Sequence, residues 1–374
     1  MNEEPIRVLH VVRYLEQGGI QNLLLNLYRK IDKSQIQFDF LVSGKGFFDD
    51  EVKSLGGIIY TIPYITDIGV NKYQKELEKF FKEHKEYKIV HCHLNQLSGV
   101  VLESAKKCNI PVRIAHAHTT KNTNNIIAKI YKSYLQKKIN PNATHLFSCS
   151  EEAARWMFGK RASEAQIINN GIDAERFIYS EEKNNSIRKE LGINEDTVVV
   201  GHIGRFSKVK NHEFLLQIFE EYNKINANSV LLLIGAGELL ENIKKQAKEL
   251  GINDKVKFLE NRMDVDYLYS TFNCYVFPSL YEGISLTLIE AQCSGCNIIA
   301  SDTVDKATDI TGTINFKSLL ETPKKWAEEI ENTNLFQRNK KGEQVKNTKY
   351  NINVGVKEIT NFYESILNKT NGEM

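Results

Sequence analysis

The chain has 374 residues, more than one hydrophobic core usually serves, so two domains are expected. Its 49 lysines and arginines nearly balance 47 aspartates and glutamates, so no overall charge would recruit nucleic acid. The sequence lacks an apolar run of about 18 residues, and its polar, acidic start is unlike a secretory signal, which together predict a globular protein of the cytoplasm.

The first element is an apolar strand, Ile6 to Val12, followed by Gly18 and Gly19 and then by apolar residues at helical spacing from Ile20 to Ile31. A strand, a glycine loop and a helix form the phosphate-facing end of a doubly wound unit. Two adjacent glycines are a weak signal, because a diglycine turn is common. The dinucleotide fingerprint G-x-G-x-x-G is absent, so NAD binding is not indicated.

Strands and helices then alternate along the first half of the chain. The predicted strands are Phe38 to Val42, Ile58 to Ile62, Ile89 to His93, Val112 to Ala115, His145 to Cys149 and Gln166 to Ile168. The clearest helix between them lies around Tyr73 to His84, where apolar residues repeat on one face. This alternation predicts a parallel sheet covered on both sides, with ligands at the carboxyl ends of its strands.

Two pairs of histidines fall at these strand ends, His91 with His93 and His116 with His118. Alternate residues of a strand share a face, so each pair points one way. A metal site is one interpretation. Because no carboxylate or cysteine lies nearby at ligand spacing, we expect no metal here.

The six cysteines are scattered, and several lie in apolar, strand-like runs, as is typical of reduced thiols in a cytosolic protein. Cys293 and Cys296 form a lone C-x-x-C pair. Without a second pair to complete four ligands, buried thiols are expected rather than a zinc site.

The segment Asn124 to Asn140 predicts a basic amphipathic helix. Its lysines are Lys129, Lys132, Lys137 and Lys138, and its apolar residues are Ile126, Ile127, Ile130, Tyr131, Tyr134 and Leu135. One interpretation is a surface helix whose apolar stripe packs on the first domain. The other is a patch that lies on an anionic membrane.

The domain boundary is expected after Asn170 and Gly171, a strong turn signal, where the polar run Ser180 to Ser186 is typical of a linker. Beyond it, the strand Val198 to Ile203 ends at Gly204, and Arg205 and Lys210 follow on the same loop. Two fixed cations on one loop can stabilise the negative charge of a phosphate ligand without a metal. Loop cations are solvated by default, but their place after a strand-ending glycine favours a ligand role. Further strands are predicted at Val230 to Gly237, Val256 to Leu259, Tyr275 to Phe277 and, as the last strand, Asn297 to Ala300.

The segment Ser279 to Gly295, SLYEGISLTLIEAQCSG, combines a loop with an apolar helix. If Ser285 to Cys293 is helical, Glu282 lies in the loop before it and Glu290 lies more than a turn inside. The first-turn N–H groups and the positive end of the helix dipole then form an anion site. Gly283 allows a ligand to approach the backbone, and the two carboxylates can accept hydrogen bonds from hydroxyl groups. A phosphate flanked by polyols describes a nucleotide-sugar.

Four motifs, in this order, resemble those of retaining glycosyltransferases of the GT-B fold, in the large family 4 that includes capsule and exopolysaccharide enzymes. PVRIAHAHTT places His118 at the family's functional histidine, with His116 as the alternative, and INNGIDAERF resembles the segment PNGVDxxxF. GRFSKVKN resembles GRxxxxKN. Glu282 and Glu290 match the Glu-x7-Glu motif, here with Ile284 and Ser285 where the family usually has Phe and Gly.

The resemblance implies an α/β architecture of two Rossmann-like, doubly wound domains facing across a cleft. The first would cover residues 1–175 together with a returning C-terminal helix, 354–374, and the second residues 186–353. The catalytic residues implied are His118, Glu282, Arg205 and Lys210. The donor-binding residues implied are Gly18, Gly19, Gly204, Arg205, Lys210, Glu282, Gly283, Ile284, Ser285, Leu286 and Glu290. Glu282 would hold a hydroxyl of the transferred sugar, and Glu290 the ribose.

The same resemblance implies transfer of a hexose-type sugar without a cofactor, from a UDP-sugar rather than a GDP-sugar. The acceptor would be a saccharide, lipid-linked at the inner face of the plasma membrane and held beside the lysine-bearing helix. Two other classes stay open: another enzyme of this architecture, such as a sugar-nucleotide epimerase, and a binding subunit without activity. The sequence leaves the nucleobase, the sugar, the acceptor, the linkage and the oligomeric state undetermined.

Overall fold

In the computed structural model of the chain, residues 4–16, 18–118, 125–260 and 262–372 are described. Gln17 in the glycine loop, Thr119 after the histidine motif, Asn124 at the start of the predicted basic helix and the final residues 373–374 lie outside them. Two compact units form the chain: one runs to Gly171 and resumes at Ile352, and the other is Ile172–Asn351. These limits differ by a few residues from the predicted 175 and 353, and by more from the predicted start of the second domain at residue 186.

The first unit is built on a seven-stranded sheet in which every pairing is parallel. Its strands are β1 (Ile6–Val11), β2 (Ile36–Val42), β3 (Ile59–Thr61), β4 (Ile89–Cys92), β5 (Val112–Ala117), β6 (His145–Ser148) and β7 (Gln166–Ile167). The order β3-β2-β1-β4-β5-β6-β7 reverses beside β1, as in doubly wound folds.

The second unit is built on a six-stranded parallel sheet of order β10-β9-β8-β11-β12-β13. Its strands are β8 (Val198–Ile203), β9 (Ser229–Ile234), β10 (Val256–Leu259), β11 (Cys274–Phe277), β12 (Asn297–Ser301) and β13 (Ile314–Lys317). The prediction that Asn297 to Ala300 is the last strand is wrong, because β13 pairs beyond it as an edge strand. Only Ile314 of β13 is buried, so its sequence lacks the apolar run that identified the other strands.

Helices follow most of the strands. Those of the first unit are α1 (Gly19–Lys30), α2 (Asp49–Ser54), α3 (Ile65–Ile68), α4 (Val70–Glu83), α5 (Ser98–Lys107), α6 (Ile126–Gln136), α7 (Ile139–Asn142) and α8 (Glu151–Phe158). Those of the second unit are α9 (Ala174–Phe177), α10 (Glu181–Leu191), α11 (His212–Ile225), α12 (Leu240–Glu249), α13 (Val265–Thr271), α14 (Leu286–Ser294) and α15 (Pro323–Asn332). The last helix, α16 (Ile352–Gly372), returns to the first unit. Among the described residues, no helix is both long and apolar enough to cross a bilayer.

Both faces of each sheet are covered by helices. In the first unit, Val8 lies in a core with residues of α1 and α16, whereas its neighbour Leu9 lies in the opposite core with residues of α4, α5 and α8. In the second unit, Val198 packs with α11, α12 and α15, and Val199 packs with α10, α13 and α14. The predicted pair of Rossmann-like α/β domains is therefore confirmed.

The segment predicted as a linker, Ser180 to Ser186, is instead the start of helix α10. The Ser180 side chain caps this helix by accepting a hydrogen bond from the Lys183 N–H, and Gly192 ends it in the left-handed conformation. Ile187 is buried against the second sheet. Polar composition alone suggested a linker, but one apolar face is enough to dock a polar helix.

Candidate functional site

The predicted anion site is formed where β11 leads through a loop into α14. Ser285 is the N-cap residue in extended conformation, but its hydroxyl contacts the Thr287 hydroxyl at 3.0 Å and caps no backbone N–H group. The first-turn amides, including that of Leu286, are therefore left without a side-chain cap at the positive end of the helix. Such a helix start can accept an anion, and the anion site itself stays a prediction.

The loop before α14 is held by hydrogen bonds from the segment that follows β12. The Glu282 carbonyl accepts from the Asp305 N–H at 3.0 Å, and the Thr308 hydroxyl donates to the Gly283 carbonyl at 3.4 Å. A β-carbon built on Gly283 would meet nothing within 4 Å. The loop is thus fixed on one side and open at Gly283, where a ligand can approach the backbone. Ile284 is exposed beside it.

Lys210 and Glu282, predicted separately, form an ion pair with 2.7 Å between Nζ and Oε1, and their side chains are only 16% and 23% exposed. The ammonium also lies 4.5 Å from the centre of the Phe277 ring. Asn211 supports Lys210 from the next position, because it adopts a left-handed conformation and donates to the Pro278 carbonyl at 3.1 Å. The lysine is therefore held in place before any ligand binds.

Arg205 is arranged differently from Lys210. Its guanidinium is 75% exposed and lies 3.2 Å from the carboxylate of Glu238, which is also exposed. Surface pairs of this kind contribute little to stability and rearrange easily. Arg205 is therefore free to turn toward an incoming anion. Sequence analysis did not identify Glu238 as its partner.

His202 is a residue that sequence analysis missed. Its Nδ1 donates to the Val276 carbonyl at 2.9 Å, because a carbonyl can only accept, and this leaves Nε2 as an unprotonated acceptor. Nε2 is buried with no partner among the described residues, and it lies 3.0 Å from where a β-carbon on Gly204 would stand. Burial holds the pKa of His202 well below its usual value. A side chain at position 204 would therefore crowd this imidazole and the Lys210 stem, at 3.0 and 3.3 Å from its β-carbon.

Glu290 lies half-buried on α14. Burial raises the pKa of its carboxyl to about 7, while a hydrogen bond from Tyr269 and the charge of Arg176 act against this rise. Near neutral pH the carboxyl is therefore present in both forms. It can accept a hydrogen bond from a hydroxyl group when ionised, and both donate and accept when protonated.

In the first unit, Gly18 and Gly19 begin α1. Gly18 is the N-cap residue with no side-chain cap, and no acidic residue lies in the first turn. A β-carbon on Gly18 would come within 2.8 Å of the Gln21 side chain, which itself donates to the Tyr14 carbonyl at 2.9 Å. A β-carbon on Gly19 would meet nothing within 4 Å, and one on Gly18 would displace only the end of the flexible Gln21 side chain, so packing requires neither glycine.

The histidine pairs lie side by side at the carboxyl edge of the first sheet. His116 is fully enclosed, whereas His118 is half-buried and its backbone N–H donates to the Asn95 side chain at 3.2 Å. Burial lowers the pKa of His118 to about 3, so the ring is neutral. The choice of His118 over His116 stays a prediction, which the partial exposure of His118 supports.

Two groups of three imidazoles have one nitrogen each within 4.8 Å of the others, namely His10, His91 and His93, and His93, His116 and His118. The rings are stacked, however: the His116 and His118 centroids are 4.0 Å apart with planes at 25°. Metal ligands direct in-plane lone pairs at one point, which stacked rings do not do. The geometry favours hydrogen-bonded imidazoles, and the absence of a metal stays a prediction.

The basic amphipathic helix is α6, and its apolar stripe is not buried. Ile126, Ile130, Tyr131 and Tyr134 are 73%, 67%, 40% and 59% exposed, and only Leu135 of the described stripe is enclosed. The packing interpretation is therefore wrong for these four side chains. Of the lysines, Lys138 pairs with Glu103 at 2.8 Å, which commits it to the domain, while Lys129 and Lys137 are exposed and Lys132 is half-buried.

Cys293 and Cys296 are buried free thiols, as predicted, and burial raises the pKa of both. Each lies in or beside α14, on the side that packs into the second core. They are structural residues of the helix that carries Glu290.

Comparison with known proteins divides the chain within about ten residues of the boundary between the two units, which lies after Gly171. The family description "Glycosyltransferase Family 4" matches residues 17–176, and "Glycosyl transferases group 1" matches residues 183–351.

Three curated relatives match over most of their length. The putative glycosyltransferase EpsF of Bacillus subtilis is 34% identical over 338 residues, covering 88% of each chain. The capsular polysaccharide biosynthesis glycosyltransferase CapH of Staphylococcus aureus is 27% identical, over 96% of this chain and 99% of its own. An Escherichia coli UDP-Gal:alpha-D-GlcNAc-diphosphoundecaprenol alpha-1,3-galactosyltransferase is 23% identical, over 79% of each.

Among solved structures, HepE (Alr3699) of Anabaena in complex with UDP and glucose has a similar fold. The TM-score is 0.76 at 16% sequence identity, and the match covers 96% of this chain and 100% of that one. At this level of identity the likeness concerns the fold, and it agrees with the two parallel-sheet units described above.

Proposed function

This chain belongs to the family 4 glycosyltransferases, and from that premise we propose that it transfers a sugar from a nucleoside-diphosphate sugar to a saccharide acceptor in capsule or exopolysaccharide biosynthesis. The proposal includes retention of the anomeric configuration, a hexose-type sugar, independence of a metal and a UDP-sugar as donor. The observation that carries it is the ion pair between Lys210 and Glu282 beside the uncapped start of α14.

The donor diphosphate would occupy the start of α14. The amides from Gly283 to Leu286 donate to phosphate oxygens, and Arg205 and Lys210 balance the charge that grows on the leaving phosphate. Because two cations and a helix terminus already supply positive charge, a divalent ion is not needed in this scheme. UDP is favoured because HepE is described with UDP and the E. coli relative uses UDP-Gal.

The two glutamates would hold opposite ends of the donor. Glu282 accepts a hydrogen bond from a hydroxyl of the transferred sugar while its other interaction, with Lys210, ties the sugar position to the phosphate position. Glu290, further along α14, binds the ribose hydroxyls. Retention then follows from attack on the same face that the phosphate leaves, with a leaving phosphate oxygen taking the acceptor proton.

The acceptor would be lipid-linked and presented at an anionic membrane surface to which α6 binds. Four exposed apolar side chains (Ile126, Ile130, Tyr131, Tyr134) accompany three lysines that face solvent at least in part. Such a face partitions into the lipid interface while the lysines meet anionic headgroups. The E. coli relative acts on a diphosphoundecaprenol-linked sugar, which is consistent with this.

A panel of nucleotide-sugars tests the donor. Purified protein would be heated with UDP, GDP and their glucose, galactose and N-acetylglucosamine derivatives, and slow hydrolysis of each sugar would be followed. Stabilisation by UDP-sugars, unchanged by a chelator, and release of UDP support the proposal. Selective stabilisation by GDP-sugars would overturn uracil as the nucleobase of the donor. Conversion of a nucleotide-sugar to its epimer, with the sugar still attached to the nucleotide, would identify a sugar-nucleotide epimerase. No response to any nucleotide would favour a binding subunit without activity.

A further inference from the structure

Five histidines line one face of the first sheet, beneath α1 and α16, where apolar residues would otherwise complete the core. They are His10 on β1, His91 on β4 and His93 directly after it, His116 on β5 and His118 directly after it. Burial holds the pKa of every one of them below its usual value, so each ring is neutral and carries one N–H.

The rings form two separate hydrogen-bonded chains. In the first, His118 Nε2 lies 2.9 Å from His93 Nδ1, and His93 Nε2 lies 3.0 Å from His10 Nδ1. In the second, Tyr363 OH lies 2.7 Å from His91 Nδ1, and His91 Nε2 lies 3.1 Å from His116 Nδ1. The first chain includes the histidine that is expected to contact substrate, and the second does not.

The first chain has only two arrangements of protons. His93 has one N–H: if it is on Nε2, it donates to His10, and its Nδ1 must accept from His118. If it is on Nδ1, it donates to His118, and its Nε2 must accept from His10. The tautomer of His93 therefore decides whether the outer nitrogen of His118, Nδ1, carries a proton.

The far end of the chain selects between the two arrangements. His10 Nε2 is buried with no hydrogen-bond partner among the described residues, and the His10 ring lies 4.2 Å from that of Phe38 with the two planes tilted by 54°, so that an edge of the imidazole can face the aromatic ring. An N–H group gains a weak attraction from aromatic faces, whereas a lone pair gains none. The proton of His10 is thus placed on Nε2, and the chain leaves His118 Nδ1 unprotonated.

We propose that His93 is a positioning residue that fixes His118 with a bare Nδ1, so that His118 accepts a hydrogen bond from a hydroxyl group of the sugar substrate. This rests on the proposed function for the role of His118, but the tautomer itself does not. His118 Nδ1 is the other buried end of the chain, and no described residue occupies it. The ligand class is a hydroxyl donor, since an amine or ammonium would find no counter-charge among these neutral rings.

The tautomers can be read by NMR without any assay of activity. The full-length protein would be labelled with ¹⁵N-histidine, and with 9 histidines in the chain the long-range proton–nitrogen spectrum of the rings stays sparse. We expect His118, His93 and His10 all in the Nε2–H form at neutral pH. An Nδ1–H form of His118, or a charged His118, overturns the proposal. So does a stoichiometric shift of His93, His116 and His118 on adding zinc, which would reveal a metal site.

Two variants on the same strand separate positioning from packing. His93→Phe should mix the tautomers of His118 and lower kcat/KM by roughly tenfold, the loss expected when one neutral hydrogen bond to the substrate is weakened. His93→Asn keeps a polar side-chain group near the position of His93 Nδ1, where it can still hydrogen-bond to His118, and should recover part of this loss. His91 is equally buried but belongs to the second hydrogen-bonded chain. His91→Phe should leave the His118 signals unchanged and kcat/KM within a few-fold of wild type. Equal losses of activity in His91→Phe and His93→Phe would refute the positioning role.

Failure of the proposed function gives a different result. A wild-type protein that transfers no sugar but shows the expected tautomers would overturn the transferase assignment and keep the imidazole chain. If the phenylalanine variants do not fold, the wild-type spectrum alone still decides the tautomer of His118.

Discussion

Replacing Lys210 with methionine removes the ammonium group, which pairs with Glu282 and lies over the Phe277 ring, and keeps most of the aliphatic stem. Lys210 and Glu282 are mostly buried and 2.7 Å apart, so the charge acts under weak screening. Two unit charges about 4 Å apart interact by roughly 4 kcal/mol at an effective dielectric constant of about 20. Loss of one contact to a developing negative charge costs about 3–4 kcal/mol in other enzymes, or roughly a hundred- to a thousandfold in kcat.

The pairing with Glu282 makes this prediction more specific. Lys210→Met leaves an uncompensated carboxylate beside the diphosphate, so donor binding should also weaken. Adding Glu282→Gln removes the repulsion, and the double variant should bind donor better than Lys210→Met alone. The two substitutions should therefore be non-additive by about 0.5–3 kcal/mol, the range for residues in direct contact.

The assay is release of nucleoside diphosphate during transfer, together with donor affinity by calorimetry. Lys208→Met is the matched control, because Lys208 lies on the same turn but is exposed and its charge makes no contact with Glu282. Unchanged kcat in Lys210→Met, or an equal loss in Lys208→Met, would refute the assignment of Lys210 to the leaving phosphate. Strict additivity would show that the observed ion pair has no role in binding.

Three further predictions concern other parts of the molecule. Burial raises the pKa of Glu290 to about 7, so the wild-type protein loses unfolding free energy as pH rises from about 4.5 through 7 and the buried carboxyl ionises. Glu290→Gln cannot ionise, so its melting temperature should rise relative to wild type between pH 5 and 8, by no more than about 3 kcal/mol in unfolding free energy. The same variant should weaken donor binding more than turnover. A melting difference that is constant with pH would contradict the raised pKa. The binding free energy to anionic vesicles, measured by sedimentation, should weaken by roughly 1 kcal/mol per surface charge at low salt, and by less at high salt, when Lys129, Lys132, Lys137 and Lys138 are changed to Gln. The double variant Ile126→Ser with Ile130→Ser should bind more weakly at any salt. Equal binding of all forms would exclude α6 as the membrane contact. Gly204→Ala should lower kcat at least tenfold, because its β-carbon would press on His202 Nε2 and the Lys210 stem, at 3.0 and 3.3 Å. Gly283→Ala is the control and should leave the thermal melting curve unchanged, because its β-carbon would meet nothing within 4 Å. A normal kcat for Gly204→Ala would mean that the loop moves to make room for the methyl group.

The strands that the sequence revealed are those richest in apolar residues. Val198 to Ile203 was predicted with the bounds the structure has, because it begins with three valines and all but its last residue are buried. Helix α10 and strand β13 were missed for the opposite reason: each buries only one or two side chains, so its sequence is mostly polar.

The sequence predicted which residues belong to the candidate site but not which of them contact each other. Motif order identified Lys210, Glu282 and Glu290, but the ion pair between the first two depends on loops from β8 and β11 meeting in space. The link from His10 to His118 was equally hidden, since the first histidine lies in β1, far from the others in sequence. Residue spacing in the sequence identifies side chains that are neighbours along one helix or strand. The Lys210–Glu282 ion pair and the histidine chain instead join side chains from different strands or the loops after them, which spacing does not reveal.

The return of α16 to the first unit has a consequence for biosynthesis. The second unit is continuous in sequence, and its two ends are joined where the Ile172 N–H donates to the Tyr350 carbonyl at 2.8 Å. The first unit needs Ile359 and Tyr363 to close its core, and these residues are synthesised after the whole of the second unit. The second unit can therefore finish folding first, while the histidine face of the first unit stays uncovered until α16 has been synthesised. A nascent chain stalled just before α16 would display that face to chaperones, and a fragment of the first 171 residues expressed alone would need α16 supplied as a separate peptide.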